Sequence, residues 1–313
     1  VSGFDRVLWY VARIAACAAL LSVAAFVVSE LLTDRVAFLQ TMWWIPRRWF
    51  ALVSLVLCLV VVGLQRRSMF AWWLLAFAAF LSVRALLLDW GVPRERPASG
   101  LRLVHWNASW PSSNATHVSL DVLLATNADV IVLTDPGTIF RNDNDEAIRA
   151  AHYDIAHAGR FALLSRLRVM EAIPLLAHDA CNISRFTLDF SGVPLVLEAV
   201  DLPSDVDLPR YTLAQTLANQ LESLRATPPD IALGDFNITR GSASLGLLYP
   251  GFEESFAARG TGWGVSYPRH APLIHIDLTL VGPRFVTLRS AIIDPGAGRH
   301  AMQVVDLAAR ESR

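Results

Sequence analysis

Three long apolar runs lie before residue 90 and no run of that length follows, an asymmetry that constrains this chain more than any other feature. Residues 7–28 are almost wholly apolar, broken by Arg13 and Ser22. Residues 49–64 form a second run and residues 69–88 a third, which carries Arg84 near its end. About twenty apolar residues rising about 1.5 Å each match a hydrocarbon core of about 30 Å, so the spacing predicts three transmembrane helices. The second run is short for a span, yet Trp43, Trp44 and Trp49 at its entrance suit an interfacial aromatic belt. A removed signal peptide does not account for three runs without a small-residue cleavage site; a buried helical bundle is the competing reading. Arg13 and Arg84 lie close enough to helix ends to snorkel to the interface.

An odd number of spans puts the N-terminus and the C-terminal part on opposite sides. Arg6, Arg66 and Arg67 flank one side, and Arg35, Arg47, Arg48, Arg94 and Arg96 the other. A raw count places the second group inside, whereas weighting the first helix and short loops places the N-terminus inside. The second weighting predicts a multi-pass inner-membrane protein with its C-terminal domain on the external, periplasmic side. Residues 91–100 carry two Pro and two Gly with nothing to bury, and read as a linker between an anchor at 1–90 and a domain at 101–313. The net charge of −1, with every positive residue an Arg, gives no general attraction to nucleic acid. Cys181 is alone in the C-terminal part, which excludes a disulfide framework and a Cys/His zinc site there.

Beyond the linker the pattern changes to short apolar segments with turn residues between them. Strands are predicted at 101–106, 130–134, 160–164, 169–176, 182–190, 194–200, 231–233, 274–281, 285–293 and 302–307, and helices at 119–126 and 208–224. The acidic stretch 142–146, NDNDE, reads as a solvated loop, since it lacks the Gly and distal Glu of a calcium loop. Strands mostly in succession with few helices predict an α+β fold, two sheets packed face to face with helices outside.

Within that frame the stretch IALGDFNITRG stands out. Three apolar residues run into a Gly, and Asp235 and Asn237 follow two apart, the spacing that puts both on one face of a strand. A carboxylate beside an amide suits Mg²⁺ and a phosphate oxygen; an ordinary strand-to-turn exit supplies the same residues. Asp235 and Asn237 have company, because Asn107, Asp135, Asp201, Asp277 and His300 also follow or sit in apolar segments. If those strands are neighbours, their ends converge on a rim able to hold a hard divalent cation. The other histidines, His105 and His117 among them, show no ligand spacing; His275, two before Asp277, shares its face if both lie on one strand.

In this order the motifs resemble those of the endonuclease/exonuclease/phosphatase superfamily of Mg²⁺-dependent phosphodiesterases. LRLVHWN is similar to its first strand, ending in an active-site Asn, here Asn107. ADVIVLTD is similar to its second, where the family's metal-binding Glu corresponds to Asp135. GRFALLSR, GDFN, HIDLTLV and GRHAMQVV follow in family order, giving Ser165, Arg166, Asp235, Asn237, Asp277 and His300. The resemblance implies a deoxyribonuclease-like four-layer α/β sandwich and Mg²⁺ (or Mn²⁺) held by Asp135 with Asn107 or Asp235. It implies that Asp277 orients His300 as the general acid/base, and that Asp235 and Asn237 position the attacking water. The substrate is a phosphoester, whether lipid head group, nucleotide or nucleic acid; no protein partner is inferable, and the bilayer is the other partner. Three positions depart from the family: Asp135 replaces Glu, Asp201 stands where nucleases and sphingomyelinases have His, and Arg299 replaces the Asp of Ser-Asp-His. Arg299 and Asp201, with Asn107, are the candidate substrate contacts. The departures leave a second reading open, a catalytically impaired member acting as a binding or scaffold protein.

Overall fold

The computed structural model describes residues 3–108, 115–140, 142–224 and 227–310. They form two compact units, Val1–Asp89 with Pro209–Tyr211, and Trp90–Leu208 with Thr212–Arg313. In the first, helices α1 (Gly3–Leu32), α2 (Ala37–Trp44), α3 (Arg47–Leu64) and α4 (Met69–Asp89) follow one another. Three stretches within them, Arg6–Leu32, Arg47–Leu64 and Met69–Asp89, are long and apolar enough to cross a membrane. Small residues are prominent in their contacts: Ala19, Ala51, Ala71, Ala78 and Ala85 are buried between the helices together with Phe26, Val61 and Leu74, while many other Leu, Val and Phe side chains point outward. That is the packing expected where lipid offers the same apolar surroundings as a neighbouring helix. Arg84 does not act alone at a helix end, because its Nη1 donates to Glu30 Oε2 at 2.6 Å. Arg47 Nε lies 2.8 Å from Oε1 of the same Glu30, so one carboxylate meets two guanidiniums.

Among the described residues the second unit has fourteen strands. In chain order they are β1 (Trp90–Gly91), β2 (Leu101–Asn107), β3 (Val130–Thr134), β4 (Asp154–Ala158), β5 (Phe161–Ser165), β6 (Val169–His178) and β7 (Cys181–Phe190). After these come β8 (Val193–Asp201), β9 (Ile231–Asp235), β10 (Glu253–Glu254), β11 (Gly260–Trp263), β12 (Asp277–Val281), β13 (Phe285–Ile293) and β14 (Met302–Ala309). One sheet has the order β1-β11-β13-β14-β2-β3-β5-β4 and the other β10-β12-β9-β8-β7-β6. Helices α5 (Ala115–Ala125) and α6 (Asn142–Ala150) cover the first sheet, and α7 (Arg210–Ser223) and α8 (Ala243–Leu248) the second; a short α9 (Ser255–Arg259) follows β10. The fold is therefore α+β, two sheets face to face with helices outside.

Strand alternation builds the layers. Leu101 and Leu103 of β2 point between the sheets while Val104 and Trp106 point to the helices. Val130 and Val132 against Ile131 and Leu133 repeat the pattern in β3, and Ile231 and Leu233 against Ala232 repeat it in β9. The inter-sheet face is apolar for most of its length and turns polar at one end, where the same alternation carries it to His105, Asn107, Asp201, Asp235 and Asp277.

Several expectations change. The segment read as a linker begins with a strand, since Trp90 and Gly91 pair with Trp263 and Gly262 and the two indoles lie 6.0 Å apart. The acidic stretch read as a loop opens α6, because the following Ile148 buries fully against the first sheet's outer core and anchors a helical turn. The strand expected from residue 274 starts at Asp277. Ile274 instead forms an isolated bridge to Tyr267, so His275 lies outside the strand and packs edge-on against Phe256 at 5.4 Å.

Candidate functional site

Strand pairing brings the polar ends together before any side chain is considered. β8 and β9 run parallel with Asp201 opposite Asp235, and β9 and β12 run antiparallel with Asp235 opposite Asp277. Gly234 permits this spacing: a Cβ there would lie 1.8 Å from the carbonyl oxygen of Val200. β2, in the facing sheet, delivers Asn107, whose Nδ2 donates to Asp235 Oδ2 at 2.9 Å. His300 enters from the loop before β14. Its backbone oxygen accepts from Trp106 Nε1 at 3.1 Å, and the Tyr267 ring lies 4.6 Å from its imidazole.

Asp277 and His300 form a buried pair, with His300 Nδ1 3.0 Å from Asp277 Oδ2. The carboxylate overcomes the cost of burial and raises the imidazole to about 9, while the same pairing lowers Asp277. With Nδ1 committed, Nε2 faces Asp235 Oδ2 at 3.7 Å. Asp235 is raised to about 7 by burial and by the neighbouring charge of Asp277. Asp277 Oδ1 is buried with no hydrogen-bond partner among the described residues. A carboxylate lifted this far and a buried oxygen left unpaired mark a site short of positive charge. Ligand atoms of Asp235, Asp277 and His300 lie within 4.8 Å of one another, and the two carboxylates among them are donors that suit a hard divalent cation beside the charged imidazole.

Asn237 belongs to the site by a different route from the one its spacing suggested. The strand ends at Asp235, and Asn237 adopts a left-handed backbone with φ 46°. Its N–H donates to Asp235 Oδ1 at 3.1 Å and its Nδ2 to the Leu202 oxygen at 2.8 Å. It therefore braces Asp235 from behind.

The expected metal ligand Asp135 is not in the close group of Asp235, Asp277 and His300; Arg160 links it to Asp201 beside them. It too has a left-handed backbone (φ 46°), and Arg160 holds its carboxylate in a fork: Nε donates to Oδ1 at 2.9 Å and Nη2 to Oδ2. The third arm, Nη1, lies 3.0 Å from Asp201 Oδ2. Asp201, raised to about 6 chiefly by burial, thus meets a guanidinium as its near neighbour. Arg299 sits at the rim, where its Nη2 donates to the Tyr267 hydroxyl at 2.7 Å.

Sequence reasoning missed two members. His105 shows no ligand spacing in the sequence, yet it is buried with Nε2 3.1 Å from Thr134 Oγ1 and Nδ1 4.0 Å from Asp277 Oδ1. Burial lowers it to about 4, so it lies neutral beside the carboxylate that holds His300 charged. Its position two before Asn107 on β2 was the available signal. Arg160 had no such signal, since it lies in the turn before β5 and its partners come from other strands.

Residues 104–301 match the Endonuclease/Exonuclease/phosphatase family. No curated protein matches the sequence. Among solved structures, truncated Caenorhabditis elegans TDP2 is similar with a TM-score of 0.54 at 11% identity, covering 69% of this chain and 100% of that one. Humanized D. rerio TDP2 gives a TM-score of 0.51 at 16% identity, covering 68% and 100%. A Bacteroides thetaiotaomicron mannosyl-6-phosphatase gives 0.50 at 15% identity, covering 66% and 99%. At such identities the likeness is one of fold.

Proposed function

Because the chain belongs to the endonuclease/exonuclease/phosphatase family, we propose that it is a membrane-anchored phosphoester hydrolase dependent on Mg²⁺ or Mn²⁺. The observation that carries this reading is the buried group of Asp235, Asp277 and His300, braced by Asn107 and Asn237 and short of positive charge. Asp235 and Asn107 would hold the ion. Such an ion supplies charge stabilisation for the phosphoryl oxygens.

The chain's own residues supply the rest. Asn107 and Asn237 fix Asp235 from two sides, so its carboxylate does not reorganise as substrate enters. Asp277 accepts the Nδ1 proton of His300 and favours the imidazolium, whose second proton is on Nε2, the nitrogen that faces Asp235. Neutralising Asp235 removes one of the charges that keep His300 near 9, bringing its acidity closer to the range useful for general acid catalysis. As a water attacks phosphorus and the bond to the leaving oxygen breaks, His300 Nε2 protonates that oxygen, and Arg299 at the rim meets the remaining phosphate charge.

The anchor fits a substrate presented at a membrane surface, such as a phospholipid head group, with nucleotides and nucleic acid as the other phosphoester classes. The proposed placement is the inner membrane, with the C-terminal domain external. One observation favours a second reading, binding without turnover: Asp135, where the family carries its metal-binding Glu, is engaged by Arg160. The full chain in detergent should be assayed on a phosphomonoester, a phosphodiester, an oligonucleotide and phospholipid vesicles, with divalent ion or chelator. Ion-dependent release from at least one substrate is expected. Turnover that ignores the chelator refutes the hydrolytic mechanism, and binding without release selects the second reading.

A further inference from the structure

We propose that Arg160 is a built-in cation occupying the Asp135–Asp201 position, so that the protein binds one divalent ion where its carboxylates would otherwise take two. This rests on the reading of Asp235 as the ion's ligand.

The geometry is that of a guanidinium filling a cation site. Two nitrogens grip Asp135 in parallel and the third reaches Asp201 Oδ2 at 3.0 Å. Planar fork contacts of this kind suit Arg and no other side chain. The two carboxylates also come from different sheets, Asp135 following β3 and Asp201 ending β8, so the guanidinium spans the mouth of the cleft. The Arg160 backbone oxygen accepts from the Asp135 N–H at 3.2 Å, which fixes the root of the side chain beside its partner. An exposed ion pair would have little role beyond its surface. Here Asp201 has a side chain only 10% exposed, and it is paired in register with Asp235.

Charge counting leads the same way. Asp135, Asp201, Asp235 and Asp277 bring four negative charges, and Arg160 and His300 bring two positive ones. The remainder of two is what one divalent ion neutralises. Without Arg160 the remainder is three, and Asp135 and Asp201 stand as a bare carboxylate pair, the donor set of a second hard cation. The guanidinium also explains how two departures from the family pattern coexist. A shortened acid at 135 and an acid at 201 would repel each other in an empty mouth, and Arg160 meets both.

Calorimetric titration of the full chain in detergent with Mn²⁺ gives the stoichiometry directly. The wild type is expected to bind one ion, Arg160→Gln two, and the double variant Arg160→Gln/Asp135→Asn one again. The more apolar Arg160→Met should match Arg160→Gln, and since Arg160 is half-exposed both variants are expected to fold. Two ions in the wild type, or an unchanged count in both single variants, overturns the proposal. If the wild type binds none and Arg160→Gln binds one, Arg160 is the cation proposed here and the ion-dependent function falls. If neither binds, both fall.

Discussion

Asp277→Asn removes one charge from the centre of the site while keeping the side chain's shape. In the wild type His300 stands at about 9 against an ordinary 6.5, a preference for the imidazolium of about 3 kcal/mol. Burial acts against that preference, so the carboxylates must supply more than the net. Two unit charges 3.0 Å apart, at an effective dielectric of about 20, attract by about 5 kcal/mol, enough to cover both. Without the Asp277 charge, desolvation becomes the largest influence and only Asp235 opposes it. The His300 midpoint is therefore expected to fall below about 6.5. Histidine-labelled full chain in detergent, titrated by NMR, reads this directly. Thermal unfolding gives a second readout. Because the folded-state value is raised, the stabilisation from His300 is fully present below pH 6.5 and is lost as pH rises through about 9. That decline should disappear in Asp277→Asn. A midpoint that stays near 9 in the variant would refute the assignment of Asp277 as the group that charges His300.

Three further outcomes test other parts of the structure. Gly234→Ala drives a Cβ into the Val200 carbonyl and should cost more than about 4 kcal/mol, seen as loss of cooperative unfolding. Asp306→Ala strands the buried Arg102, whose Nε and Nη2 donate to that carboxylate at 2.6 and 3.0 Å, and should cost about 3–5 kcal/mol. Replacing both residues of that pair with Leu should recover most of the loss in a denaturant titration. Mn²⁺ at about 100 times its Kd should stabilise the folded chain by about 2.7 kcal/mol, and a chelator should reverse the shift; Asp235→Asn should show neither.

Much of the site was legible because strand alternation acts at every position. Asn107, Asp235 and Asp277 end or begin buried strands, and their pairing registers follow from apolar residues that had to face inward. The same rule points to His105 once β2 is seen to send its odd-numbered residues between the sheets. What the sequence concealed depends on turns and on long side chains. Asn237 reaches Asp235 through a left-handed residue, so a period of two described the right neighbours by the wrong route. Arg160 reaches across from a turn, and nothing in local periodicity says where a guanidinium on a flexible stem will settle. α6 was hidden by its polar opening, since Ile148 buries against the core and Asn144, within the acidic stretch, is itself buried and donates to the Ile139 oxygen.

The most direct test of the central claim compares turnover by the full chain with that of Asp235→Asn, in Mg²⁺ or Mn²⁺, on the best substrate from the panel above. The substitution keeps the side chain's size and removes the charge that sits between Asn107 and His300. The account predicts ion-dependent hydrolysis by the wild type and a loss of at least about 10²-fold in the variant. Equal turnover by the two proteins would contradict it.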